Sequence, residues 1–142
     1  MKKIVLSILL SSSALVYAQD RRIGFNELPK NGQAFVSNYY GQKNISYVEL
    51  DKDILDKDYK VYLNNGTKIE FDGKGNWKEV ESRGGAVPSK IVPNFIKTYV
   101  KQNYKGAHIV KIERDNRKYE VELSNGIELD FNKNGKLLKV DR

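Results

Sequence analysis

Four aspartates crowd one short stretch of the chain: Asp51, Asp53, Asp56 and Asp58. A flexible loop rich in carboxylates is what a hard cation such as calcium requires, because it binds through several oxygens at once. The match to a calcium-binding loop stops after the first two acids. Leu55 stands where a third oxygen is needed, no glycine follows, and Lys52 and Lys57 are interspersed. The stretch therefore reads as a solvated hairpin, and its four acids are weak metal candidates. The segment Asp72-Gly73-Lys74-Gly75-Asn76 could also suggest a phosphate or calcium loop. Its counterpart sixty residues on, Asn132-Lys133-Asn134-Gly135-Lys136, marks it as a turn. Nucleophilic and acid–base chemistry finds little to work with. His108 is the only histidine and cysteine is absent, so neither a histidine metal triad nor a nucleophile–histidine pair can be assembled. The remaining serines lie in no elbow motif. The pattern predicts a protein without catalytic residues or cofactor.

The elements that position these residues are read from periodicity. Met1-Lys2-Lys3 is a basic head, Ile4–Tyr17 is apolar with a Ser11–Ser13 interruption, and Val16 and Ala18 are small residues before Gln19. That pattern predicts an export signal over residues 1–18, too short and serine-rich for a comfortable membrane span. No later segment is apolar enough to span a membrane. The formal net charge is +7, but Lys and Asp/Glu interleave along the chain. A nucleic-acid partner would call for clustered basic residues on one face, which the sequence does not present.

Displacement by sixty residues aligns Tyr59–Glu81 with Tyr119–Asp141, and eight of the 23 positions are identical, including Asn65-Gly66 with Asn125-Gly126 and Phe71 with Phe131. Phe35 and Tyr39 align upstream with Phe95 and Tyr99. The expectation is an α+β fold built as a tandem repeat, each copy a helix followed by a four-stranded antiparallel sheet, with the helices packed on one sheet face. Helices are expected over 33–41 and 89–104, and strands near 45–51, 58–63, 67–71, 76–80, 107–113, 118–123, 127–131 and 136–140. The organisation that follows is a lead-in over 19–27, one copy over 28–81, a linker over 82–87 and the second copy over 88–142.

The residues Leu28-Pro29 and Val87-Pro88, the Phe-x-x-x-Tyr helices, Ile109–Glu113, Tyr119–Gly126 and Leu129-Asp130-Phe131 with Gly135 resemble the PepSY-like family of exported proteins, also described as beta-lactamase-inhibitor-like. The resemblance spans roughly residues 28–141. It implies two helix-plus-four-strand units in a continuous antiparallel sheet, with helices on one side and an open face on the other. It also implies a periplasmic binding or inhibitory role.

Three-residue hairpin loops at 64–66 and 124–126 place Tyr59, Val61 and Leu63 inward, opposite Phe71, Ile69 and Thr67. Outward pairs are then Tyr62 with Lys68 and Lys60 with Glu70. The same register in the second half sets Glu122 opposite Glu128 and Glu120 opposite Asp130, four carboxylates in a square where like charges repel. Lys111 and Lys139 are expected to offset part of that charge. Tyr47 and Tyr62 are expected to project outward as interface anchors; Trp77 either joins them or packs inward at the hairpin end, where strand parity can shift by one residue. The resulting expectation is a non-catalytic module of the periplasm or cell surface. It would bind another exported protein through Tyr47, Tyr62, Trp77, Glu120, Glu122, Glu128 and Asp130, with any inhibitory role resting on the resemblance alone. The second expectation is an envelope sensor of a small ligand or divalent cation.

Overall fold

Alternation of apolar and polar residues dominates the chain from Ile45 onward, and it is resolved as strands. The computed structural model describes residues 19–53 and 55–142; the export signal expected over residues 1–18 lies outside them. Strand β1 (Gln19–Ile23) and helix α1 (Lys30–Tyr39) are followed by β2 (Ile45–Lys52), β3 (Lys57–Leu63), β4 (Lys68–Phe71) and β5 (Trp77–Glu81). Helix α2 (Asn94–Asn103) then precedes β6 (Ile109–Arg114), β7 (Lys118–Leu123), β8 (Glu128–Asn132) and β9 (Leu137–Asp141).

These strands form one nine-stranded sheet in simple chain order, each antiparallel to the next. This overturns the tandem repeat of helix plus four-stranded sheet. Two features of the sheet account for the difference. Strand β5 pairs directly with β6 (Glu79↔Glu113, Val80↔Ile112, Glu81↔Lys111), so the expected boundary between copies is an internal seam. Left unpaired, that edge would leave a row of backbone donors and acceptors open to water. In addition, Gln19–Ile23, expected only as a lead-in, pairs with β2 as a ninth strand. Helix α2 is shorter than periodicity predicts, whereas α1 is shifted towards the N-terminus, from the expected 33–41 to Lys30–Tyr39. Pro93 holds the N-cap of α2 at φ −55°, and Ser89–Ile91 forms a separate 3-10 turn, so the apolar spacing from Ser89 onward does not extend one helix.

Two-residue periodicity sorts the sheet into two faces. On one face an apolar row crosses all nine strands in register: Ile23, Val48, Val61, Ile69, Val80, Ile112, Val121, Leu129 and Val140. Its members from Val61 to Leu129 have no measurable exposure. Both helices cover this face. Phe35 of α1 meets Phe71 edge-on at 5.6 Å, and Phe95 of α2 meets Phe131 at 6.1 Å. Val36, Ile96 and Val100 complete the packing.

Turn chemistry holds the register. Gly66 and Gly126 adopt φ of 87° and 86°, the left-handed position that a three-residue hairpin loop requires. Asn65 Oδ1 accepts the Thr67 amide and Asn125 Oδ1 accepts the Ile127 amide. Gly75 has a second role. It lies at φ 85°, and a side chain there would meet Pro29 Cβ at 2.7 Å, so the β4–β5 turn can approach α1 closely.

Because Val80 and Ile112 join the two ends of the sheet inside one core, Ile112→Ala is expected to cost about 2–5 kcal/mol. Chemical denaturation should show a single cooperative transition displaced as a whole; loss of only part of the signal would contradict a shared core.

Candidate binding face

Among the described residues no helix covers the opposite face of the sheet, and every member of its central row is charged. In register it runs Arg22, Glu49, Lys60, Glu70, Glu79, Glu113, Glu120, Asp130 and Lys139. Five consecutive members, from Glu70 on β4 to Asp130 on β8, are carboxylates. Directly opposed side chains in a sheet lie about 5 Å apart, so this ladder repels itself unless cations or protons intervene.

Both intervene. Glu79 is the most buried charged residue of the ladder, at 8% exposure, and it receives Lys111 at 3.1 Å and Lys68 at 3.6 Å. Burial opposes the charge on Glu79, but a hydrogen bond from the Glu70 carboxyl and the two ammonium groups outweigh it and lower its pKa. Burial, followed by the hydrogen bond and repulsion from Glu79, raises the pKa of Glu70. The two carboxyls therefore titrate apart, as closely spaced acids do. Farther along, Lys118 bridges Asp130 at 2.7 Å and Glu120 at 3.4 Å.

The expected acidic square is present in register, with Glu120 opposite Asp130 and Glu122 opposite Glu128. Lys111 and Lys139 lie on this face as expected, in register with Glu122 and Asp130, but their ion pairs are made elsewhere. Lys111 turns to Glu79 and Lys139 to Asp141, while Lys118 serves one half of the square. Glu122 and Glu128 form no ion pair among the described residues. Lys118 was legible in principle, since it lies two residues before Glu120 and shares its face.

Tyr47 and Tyr62 lie on this face and stack with ring centroids 4.5 Å apart. The Arg22 guanidinium covers Tyr47 at 4.2 Å. Trp77 does not join them. Its register partner is Phe71, with the ladder interrupted beside it so that Lys78 is an extra residue. That bulge reverses the parity of the strand end. Trp77 consequently turns to the core side, 6.2 Å from Phe35, beneath the Arg114 guanidinium at 3.8 Å.

The four aspartates of the β2–β3 hairpin do not converge. Asp51 pairs with Lys60 at 3.7 Å and Asp58 with Lys78 at 3.2 Å. Asp53 Oδ1 accepts the Leu55 and Asp56 amides, both at 2.8 Å, and these bonds lower its pKa. Among the described residues, no group of three or more acidic, histidine or cysteine side chains is placed to hold a metal ion. His108 is exposed just before β6, and its amide donates to Ser124 Oγ.

The Glu70–Glu79 pair gives a pH prediction. A carboxyl whose folded pKa is raised loses its contribution to stability as pH rises through that value, whereas the lowered Glu79 contributes above the ordinary range and loses that contribution on acidification. In Glu70→Gln the amide can still donate to Glu79 without the repulsion. The variant should be more stable than the native protein near neutral pH by up to about 1 kcal/mol, because the pair is partly solvated. The difference should close on acidification. Denaturation midpoints across that range test it, and a variant less stable at neutral pH would contradict the assignment.

Comparison with known proteins places this architecture. The family described as "Putative beta-lactamase-inhibitor-like, PepSY-like" matches residues 57–139, which cross the β5–β6 seam. Two solved structures from Bacteroides vulgatus, both described as putative periplasmic proteins, are similar to the chain. One is 40% identical with a TM-score of 0.82, covering 87% of this chain and 98% of its own. The other is 35% identical with a TM-score of 0.81, covering 87% and 100%. A structure from Bacteroides thetaiotaomicron, described as a "putative calcium-regulated periplasmic protein", is 39% identical with a TM-score of 0.84, covering 87% of this chain and 97% of its own. No curated protein matches. Among the described residues, no helix is long and apolar enough to cross a membrane. On the strength of the family match and these relatives, the chain belongs to the PepSY-like, beta-lactamase-inhibitor-like family.

Proposed function

We propose that this protein is a non-catalytic, exported binding module that docks a protein partner on the uncovered face of its sheet, and that the partner presents a basic surface. The observation that carries this reading is the segregation of charge. The chain as a whole has a formal charge of +7, yet among the described residues carboxylates clearly outnumber cations on the open face, and Glu122 and Glu128 form no ion pair. A flat surface with a fixed acidic pattern favours association with a cationic partner and discriminates against acidic ones. The stacked Tyr47–Tyr62 pair adds an aromatic contact of the kind enriched at interface centres. The description of three similar structures as periplasmic supports action in that compartment.

A second reading is a divalent-cation response. It is favoured by the free carboxylates Glu122 and Glu128 and by the description of one relative as calcium-regulated. Calcium would offset the repulsion between those acids without requiring a closed metal cage.

One experiment addresses both readings. The native protein, the variant Glu120→Gln/Glu122→Gln/Glu128→Gln/Asp130→Asn, and the helix-side variant Lys97→Gln/Lys101→Gln would be immobilised and exposed to an envelope extract. A partner should be retained by the native and helix-side proteins, released by salt, and lost with the acidic-face variant. Equal retention by all three would reject the docking face. In parallel, a calcium-dependent rise in melting temperature that disappears in the acidic-face variant would support the cation reading.

A further inference from the structure

On the helix-covered side of the sheet a second row crosses the strands near their open ends. It contains Tyr59, Phe71 and Trp77 on one side of the seam, and Tyr119, Phe131 and Leu137 on the other. The residue between them, in register with Tyr119, is Arg114. An arginine in an otherwise aromatic and apolar row has to be paid for by a partner, since a partly desolvated charge is costly without one. Arg114 Nε donates to the Trp77 carbonyl at 2.8 Å, and the guanidinium stacks on the Trp77 ring. Among the described residues it forms no ion pair with a carboxylate. Burial lowers its pKa, with only Tyr119 and Asp72 acting in the opposite direction.

The guanidinium lines a cleft of about 500 Å³ between the Asp72–Asn76 turn and the Asp115–Asn116 turn, with Lys133 among the other lining residues. Lys133 is positioned over the Tyr119 ring at 3.9 Å, so a second cation is held near the first. The acids that line the cleft are already engaged. Asp72 Oδ1 accepts the Lys74 and Asn76 amides, each at 2.9 Å. Asp115 Oδ1 accepts the Arg117 and Lys118 amides at 2.6 and 2.9 Å. The remaining cation, Lys78, is tied to Asp58. Arg114 and Lys133 are left as the cations of the cleft that form no carboxylate ion pair among the described residues, while the guanidinium also hydrogen-bonds Tyr119.

We propose that this cleft binds a small oxyanion, the carboxylate or phosphate group of a solute, with Arg114 as the planar fork and Lys133 as a second positive contact. The site lies on the opposite side of the sheet from the protein-docking face and does not depend on it. Arginine suits the role because its fork is rigid and matches the oxygen spacing of both groups. The stack on Trp77 and the bond to its carbonyl fix the fork before a ligand arrives.

Trp77 is the only tryptophan and touches the guanidinium, so its emission reports on the site. The purified protein would be titrated with inorganic phosphate and, separately, with succinate, ionic strength being held constant with sodium chloride. A saturable change with either anion is expected, and which one saturates identifies the oxyanion. Arg114→Gln should abolish the saturable change. Arg114→Lys, which keeps the charge but not the fork, and Lys133→Gln should each weaken binding by roughly tenfold or more. Circular dichroism checks folding; if Arg114→Gln does not fold, the other two variants decide. Absence of saturation with both anions, or unchanged affinity in folded variants, would overturn the proposal.

Discussion

The pairing of β5 with β6 is the constraint on which the rest of the structure depends. It is short, with three residues of each strand in register, yet it carries both layers of the fold. On the core side Val80 meets Ile112, and neither has measurable exposure. On the open side Glu79, nearly buried, is held by Lys111 from the neighbouring strand at 3.1 Å. A carboxylate so withdrawn from water needs charged partners to persist as an anion, and β6 supplies the nearest of them. Apolar burial and ion pairing thus converge on the same residues, one face each.

Continuity across the seam has consequences at a distance. It aligns the apolar row from Ile23 to Val140, letting two separate helices share one core. It also brings Glu79 and Glu113 into line with Glu70, Glu120 and Asp130, which turns two local charge patterns into one acidic ladder. Lys68, Lys111 and Lys118 are spaced to relieve parts of the ladder, and the square around Glu122 and Glu128 is left least compensated. The uncovered face is therefore uneven, with an aromatic and arginine-capped region near β2 and β3 and an acidic region near β7 and β8. A binding surface on this sheet would be asymmetric for that reason.

Much of the local structure was legible in the sequence because it depends on short-range chemistry. Asn65-Gly66 and Asn125-Gly126 specify left-handed loop positions, and those loops dictate the opposition of Tyr62 with Lys68 and of Glu122 with Glu128. Three features were not legible. Pairing of β5 with β6 is long-range and is implied only by the family resemblance, with its continuous sheet; in the residues themselves the glycine-rich stretch between them reads equally well as a boundary between copies. The extra residue Lys78 changes strand parity without any proline or glycine to signal it, so the sequence leaves the facing of Trp77 open. The lead-in Gln19–Ile23 is too short and too charged to read as a strand, and it pairs only because β2 offers an open edge. The ladder of five carboxylates was hidden for the first of these reasons, since Glu79 and Glu113 meet only across the seam.

Amide hydrogen exchange at the seam tests the central claim most directly. If β5 and β6 join one cooperative sheet, the amides of Val80 and Ile112 should exchange as slowly as those of Ile69 and Val121 in the flanking strands, all through one global opening. Seam amides that exchange much faster than both flanks, or residues 19–81 and 88–142 opening independently of each other, would contradict the account.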